Sequence, residues 1–209
     1  MNLEFFRHQW FNNEKGQQVS MSIHKFLVVL MLFCGFVSLP TTGTAGQAVR
    51  AAGSLEVAFS PAGGGEELVI KVIDSARSEI KVLAYSFTSA PIVRALLAAH
   101  KRGVAVSIVA DEKSNLSEGG GNQKALAALS ALANAGVDVR TSNAYAASHD
   151  KVLCVDRVHV ETGSFNFSAS AETRNSENVL VNWNNPDLAA VYLKHFERNY
   201  KQSRSFTPR

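Results

Sequence analysis

The sequence predicts one α/β domain over residues 46–209, a mixed, largely parallel β-sheet flanked by helices on both faces. Three observations carry this. Short apolar runs of strand length alternate with stretches whose apolar residues recur at helical spacing. Two of the helical stretches end at a glycine, Gly103 and Gly136, and each glycine is followed by Val-x-Val. The 209 residues are 46% hydrophobic and 19% charged, enough apolar material for one core.

The elements follow in order. Leu55–Phe59 alternates like a strand, and Pro61–Gly65 is a loop. Leu68, Val69, Val72, Ile73 and Ala76 mark a first helix, and Ile80–Tyr85 a buried strand. Ile92, Val93, Leu96 and Leu97 mark a second helix, and Val104–Ala110 a strand. Asp111–Gln123 is polar and Gly-rich and reads as a loop at a site rim. Leu126, Leu129 and Leu132 mark a third helix, followed by a strand at Val137–Arg140. Two closely spaced strands, Lys151–Val155 and Val158–Thr162, come next. Asn178–Asn182 is a further strand and Leu188–Tyr200 a closing helix.

The amino terminus reads as an address. Residues 1–20 form a polar leader, and residues 21–45 a signal peptide. Lys25 precedes the apolar run Phe26–Leu39, and small polar residues follow up to Ala48. Cleavage is expected after Ala45, with Ala48 as the alternative; the start at Met1 or Met21 is left open. The apolar run is shorter than the ~20 residues of a membrane span. The expectation is an exported protein, periplasmic or secreted, with no stable membrane anchor after cleavage. Removal of residues 1–45 takes three basic and two acidic residues and lowers the net charge from +3 to +2. It also takes Cys34 and leaves Cys154 alone in an apolar strand, as a small buried residue. With no CxxC pair or His/Cys cluster, a zinc site and a disulfide scaffold are both excluded.

One stretch concentrates chemistry. His149 and Lys151 stand two apart, on one face of a strand. Asp156 follows across an apolar run, and Gly163, Ser164 and Asn166 come near a turn. A lysine offers charge to a phosphate, serine and asparagine offer hydrogen bonds, and an imidazole offers nucleophilic or acid–base chemistry near neutral pH.

His149-x-Lys151-x4-Asp156 followed by Gly163-Ser164-x-Asn166 resembles the HKD motif of the phospholipase D superfamily. Ala84–Thr88, Lys101–Val104, Glu161–Asn166 and Asn175–Asn178 resemble its small, single-motif bacterial endonucleases, and the likeness spans residues 54–203. The resemblance implies the fold of that family and a site needing two HKD motifs. His100, His159 and His195 lack a lysine two residues on, so the second motif is expected from a second copy in a two-fold homodimer. The resemblance makes His149 nucleophile in one copy and general acid–base in the other. It makes Lys151, Ser164 and Asn166 phosphate ligands, and Glu177 the carboxylate that orients a histidine. Asp156 and Gly163 are structural. No metal and no cofactor are implied. The expected substrate is nucleic acid, DNA with RNA left open, tracked by basic residues such as Arg94, Lys101, Arg102, Lys113 and Lys124. Rival readings are a phospholipase D acting on lipid headgroups and a non-catalytic nucleic-acid binding module.

Overall fold

The aliphatic runs between the glycine-closed helices line up as neighbouring strands. The structure is a computed structural model that describes residues 8–12, 15–16, 18–22, 46–116 and 122–208. It falls into two units, Met1–Gln47 and Ala48–Arg209. In the first, β1 (His8–Asn12) and β2 (Gln18–Ser22) pair antiparallel. The apolar run Phe26–Leu39 lies outside the described residues. Among the described residues no helix is long and apolar enough to cross a membrane.

The second unit runs β3 (Ser54–Ser60), α1 (Gly65–Asp74), β4 (Glu79–Ala84), α2 (Ala90–Lys101), β5 (Ala105–Asp111), α3 (Glu112–Leu116) and α4 (Gln123–Asn134). It continues β6 (Asp138–Ser142), β7 (Lys151–Val155), β8 (His159–Gly163), α5 (Ala169–Thr173), β9 (Glu177–Trp183), α6 (Pro186–Lys201) and β10 (Arg204–Ser205). Gly103 and Gly136, both at φ 91°, sit just past the ends of α2 and α4. Ser89, Asn122 and Asn185 cap the starts of α2, α4 and α6 by accepting backbone N–H bonds.

One 8-stranded mixed sheet results, in the order β10-β6-β5-β4-β7-β8-β9-β3. Parallel pairing is confined to β4–β5 and β5–β6, joined by α2 and α4. The other ladders are antiparallel, so the parallel share is smaller than the sequence reading expects. The reason is local. β7 and β8 are joined by a tight turn whose Asp156 and Arg157 adopt φ 50° and 61°, the mirror-image turn that suits a hairpin. Left-handed backbone is unfavourable for these residues, and Asp156 offsets it. Its carboxylate accepts from the N–H groups of Arg77 (2.7 Å), Ser78 (2.8 Å) and Glu79 (2.9 Å) and from the Ser78 hydroxyl (2.8 Å). Partial burial pushes this carboxyl up, but the donors from Glu79, Ser78 and Arg77 outweigh it and hold the group below its usual range.

Strand alternation divides the core between two faces. Ile80, Val82, Ile108, Leu153, Val155, Val179 and Val181 pack with Val72, Leu96 and Leu129 of α1, α2 and α4. Leu83, Val109, Val152, Cys154 and Val160 pack with Ala189, Leu193 and Phe196 of α6. Burial pushes the Cys154 thiol up to about 12, which leaves it inert as a nucleophile.

Glu161 is the exception in this core. It lies on β8 opposite Leu153 and Val181, is 0% exposed, and neither carboxylate oxygen has a hydrogen-bond partner. Desolvation pushes its carboxyl well above the usual range, so the folded chain holds the proton that the unfolded chain releases near pH 4. Stability therefore falls as pH rises from about 4 toward the folded value, by about 1.4 kcal/mol per pH unit at most. Glu161→Gln removes this slope. Urea titrations at pH 5 and pH 8 will show the variant gaining on the natural chain as pH rises.

Candidate active site

β4 and β7 run antiparallel with Ala84 opposite Lys151, so the end of one strand meets the start of the other. Just beyond, the Tyr85 N–H donates to the Asp150 carbonyl at 2.9 Å. This register brings the aromatic ring of Tyr85 against His149, with ring centres 4.4 Å apart. Lys151 is 5% exposed. Its Nζ donates to the His149 carbonyl at 2.7 Å and lies 3.0 Å from His149 Nδ1. It also stands 5.1 Å from the centre of the Tyr85 ring, a cation–π contact. His149 itself is exposed. Burial pushes the Lys151 ammonium below the usual lysine range, and the Asp150 and Glu177 carboxylates recover only part of that.

The segments before Lys151 and after β4 are anchored from the end of β5 and from α3. Asp111, 2% exposed, accepts from the Ser148 N–H (2.8 Å) and the Ser114 N–H (2.7 Å). Asn115 is fully buried. It accepts from the Phe87 N–H (2.9 Å) and donates to the carbonyls of Tyr85 (2.6 Å) and Asp111 (2.7 Å). The stretch read as a loop over Asp111–Gln123 thus contains α3 and, at Asn122 and Gln123, the cap and first residue of α4, while residues 117–121 lie outside the described residues. The helix forms because Asp111 accepts the N–H three residues on, a local bond that apolar periodicity does not reveal.

The second segment enters from β8. A Cβ on Gly163 would stand 2.2 Å from the Asn178 carbonyl oxygen, so only glycine fits this approach to β9. Ser164 Oγ accepts from the N–H and Nδ2 of Asn178, each at 3.1 Å. Asn166 Oδ1 is buried without a hydrogen-bond partner. Asn166 also lines a groove of about 900 Å³, together with Ser86, Asn175 and the cations Arg94 and Lys124. Of the five basic residues named from the sequence, Arg94 and Lys124 share this groove. Arg102 is instead turned to the carbonyls of Ile73 and Asp74 at the end of α1. Glu177 Oε1 accepts from Asn175 Nδ2 at 2.9 Å, and its hydrogen bond runs there rather than to His149. Asp156 sits at the far end of β7, in the hairpin turn. Among the described residues no three His, Cys, Asp or Glu side chains stand together as a metal site.

A desolvated ammonium beside an exposed imidazole suits a phosphodiester oxyanion. Residues 69–200 match the family described as cardiolipin synthase, PLD-like domain. The chain belongs to the phospholipase D superfamily. It is 46% identical to the crystal structure of Nuc from Salmonella typhimurium, a phospholipase D family member, with a TM-score of 0.70 over 73% of this chain and 97% of that one. It is 37% identical over 138 residues to a phospholipase D of Rickettsia felis, covering 66% of this chain. It is 30% identical over 135 residues to a mitochondrial cardiolipin hydrolase of Xenopus laevis, covering 65% of this chain and 60% of that protein. The chain spans 65% of the length of the Rickettsia felis relative.

Tyr85, Asp111 and Asn115 were not picked out as site residues by the motif. Their signal is positional: Tyr85 and Asp111 fall at the carboxyl ends of β4 and β5, where open α/β sheets build their sites. The Lys151 environment has a measurable consequence. Above pH 8 inorganic phosphate is a dianion throughout, so any further pH dependence of its binding comes from the protein. Phosphate affinity measured by calorimetry will decline below the usual lysine range near pH 10, and Lys151→Met will abolish both the affinity and its pH dependence.

Proposed function

We propose that this protein is an exported phosphodiesterase that cuts DNA without a metal ion, through a phosphohistidine formed at a site shared by two copies of the chain. RNA is a second candidate substrate of the same chemistry. The observation that carries the reading is the buried Lys151 ammonium held against an exposed His149. The likeness to Nuc, which extends over nearly all of that chain, supports the substrate class.

The resting hydrogen bonds constrain the mechanism. An ammonium only donates, so its 3.0 Å contact leaves Nδ1 as the acceptor and places the imidazole proton on Nε2. That tautomer has no lone pair on Nε2 and cannot attack phosphorus through that atom; with a second proton on Nδ1 the ring is an imidazolium, the acid that protonates a leaving oxygen. A nucleophilic histidine needs the opposite arrangement, a proton on Nδ1 and a lone pair on Nε2. A phosphate that draws Lys151 Nζ onto its own oxygens frees Nδ1 to donate to a carboxylate, the role assigned to Glu177. One imidazole cannot be both the neutral nucleophile and the imidazolium acid in the same step, which supports two copies at one site.

In the first step His149 Nε2 bonds to phosphorus and the bond from phosphorus to the leaving oxygen breaks. His149 of the partner subunit enters as the imidazolium, gives that oxygen its Nε2 proton and becomes neutral. In the second step the same imidazole takes a proton from water, the hydroxide bonds to phosphorus, and the nitrogen–phosphorus bond breaks. The products are an alcohol and a phosphate monoester, and both histidines return to their starting states. Lys151, Ser164 and Asn166 hold the equatorial oxygens throughout.

Hydrolysis of phospholipid headgroups is the second reading, favoured by the names of the Rickettsia and Xenopus relatives. Purified protein and His149→Ala are to be incubated with plasmid DNA, RNA and phospholipid vesicles in excess EDTA. The natural chain will cut DNA and the variant will be slower by about 1,000-fold or more. Intact DNA beside hydrolysed vesicles establishes the lipid reading. DNA binding without any turnover establishes a binding module.

A further inference from the structure

Strand parity splits the motif between the two faces of the sheet. Val152 and Cys154 point to α6, while Leu153 and Val155 point to α1, α2 and α4. Continued back past the start of β7, the even face carries Asp150 and the odd face His149 and Lys151. Asp150 accordingly meets α6. Its Oδ2 lies 3.1 Å from His195 Nε2. On the other side of the ring, Arg198 Nη2 lies 2.9 Å from His195 Nδ1. Asn199 Nδ2 donates to the His195 carbonyl at 2.9 Å, one turn along the helix.

The roles in this chain follow from chemistry. A guanidinium has no lone pair to offer, so Arg198 donates and Nδ1 accepts. The ring proton then sits on Nε2 and is donated to the Asp150 carboxylate. The ring thus bridges the Arg198 cation behind it and the Asp150 anion in front. Asp150 is fixed twice, by its side chain to α6 and by its carbonyl to the Tyr85 N–H. Its two sequence neighbours are the residues placed in the chemistry.

We propose that His195 is a positioning residue: the Arg198–His195–Asp150 chain clamps the segment between His149 and Lys151 to α6 and so sets the angle at which both side chains leave the sheet. The inference rests on the phosphodiesterase reading above. His195 touches no substrate in this account and acts only through Asp150. Partners that orient metal-bound imidazoles are worth about 10- to 100-fold, which gives the scale.

The test uses the full chain, the small diester bis(4-nitrophenyl) phosphate, and the variants His195→Ala and His195→Gln. The glutamine amide nitrogen reaches the place of Nε2 and keeps the donor. For His195→Ala, kcat will fall about tenfold with KM within about twofold, and His195→Gln will recover most of the loss. Thermal midpoints within a few degrees of the natural chain will show that the fold is intact. Unchanged kcat, or a glutamine variant no better than alanine, overturns the clamp. A second arm needs no turnover: nitrogen-15 spectra of the imidazoles. They will show His195 as the single Nε2–H tautomer, with the His149 resonances displaced in His195→Ala. A mixed tautomer, or His149 resonances unmoved by that change, overturns the clamp as well. If the natural chain hydrolyses no diester, it is the phosphodiesterase reading that fails, and the spectra alone then decide the clamp.

Discussion

A lysine ammonium removed from water has to find its partners inside the protein, and Lys151 is 5% exposed. The architecture of the site follows from that constraint. The His149 carbonyl, the His149 ring nitrogen and the Tyr85 ring surround Nζ. Tyr85 is there because Ala84 pairs with Lys151 across the β4–β7 ladder. The Tyr85 carbonyl is held by Asn115, and the backbone before His149 is held by Asp111. Each support sits on the carboxyl end of a neighbouring strand or on the helix that follows it. Loss of any one would let water reach the ammonium and restore its ordinary affinity for protons.

The same constraint connects charge to chemistry. An ammonium already stripped of water gives up little more when it turns to a phosphate oxygen. Because it rests against Nδ1, substrate binding and the choice of histidine tautomer are coupled. The site therefore need not hold a reactive nucleophile in the absence of substrate.

Much of this was legible in the sequence, and the limits were physical. Helices and strands were readable where alternation or helical period ran long enough, and Gly103 and Gly136 marked two helix ends. The five-residue α5 and the two-residue β10 are too short to carry a period. The antiparallel share of the sheet was hidden because the β7–β8 turn uses Asp156 and Arg157 at positive φ rather than Asn-Gly. Glu161 falls on the face of β8 that its partners Leu153 and Val181 turn toward α1, α2 and α4, and its carboxyl is buried there. His149, Lys151, Gly163, Ser164 and Asn166 were visible because motif and turn are local in the chain. Asp111, Asn115 and Tyr85 act across long sequence separations through strand register. The partner of Glu177 also depends on side-chain placement, and in the structure it is Asn175.

A covalent bond from His149 to phosphorus can be trapped. The protein is to be mixed with a fluorescent oligonucleotide diester, quenched within a turnover under alkaline conditions that preserve phosphoramidates, and digested for mass spectrometry. A nucleotidyl adduct will be found on the peptide containing His149 and will be absent from His149→Ala. Turnover with no adduct on any peptide, or with the adduct on a different residue, would contradict that bond.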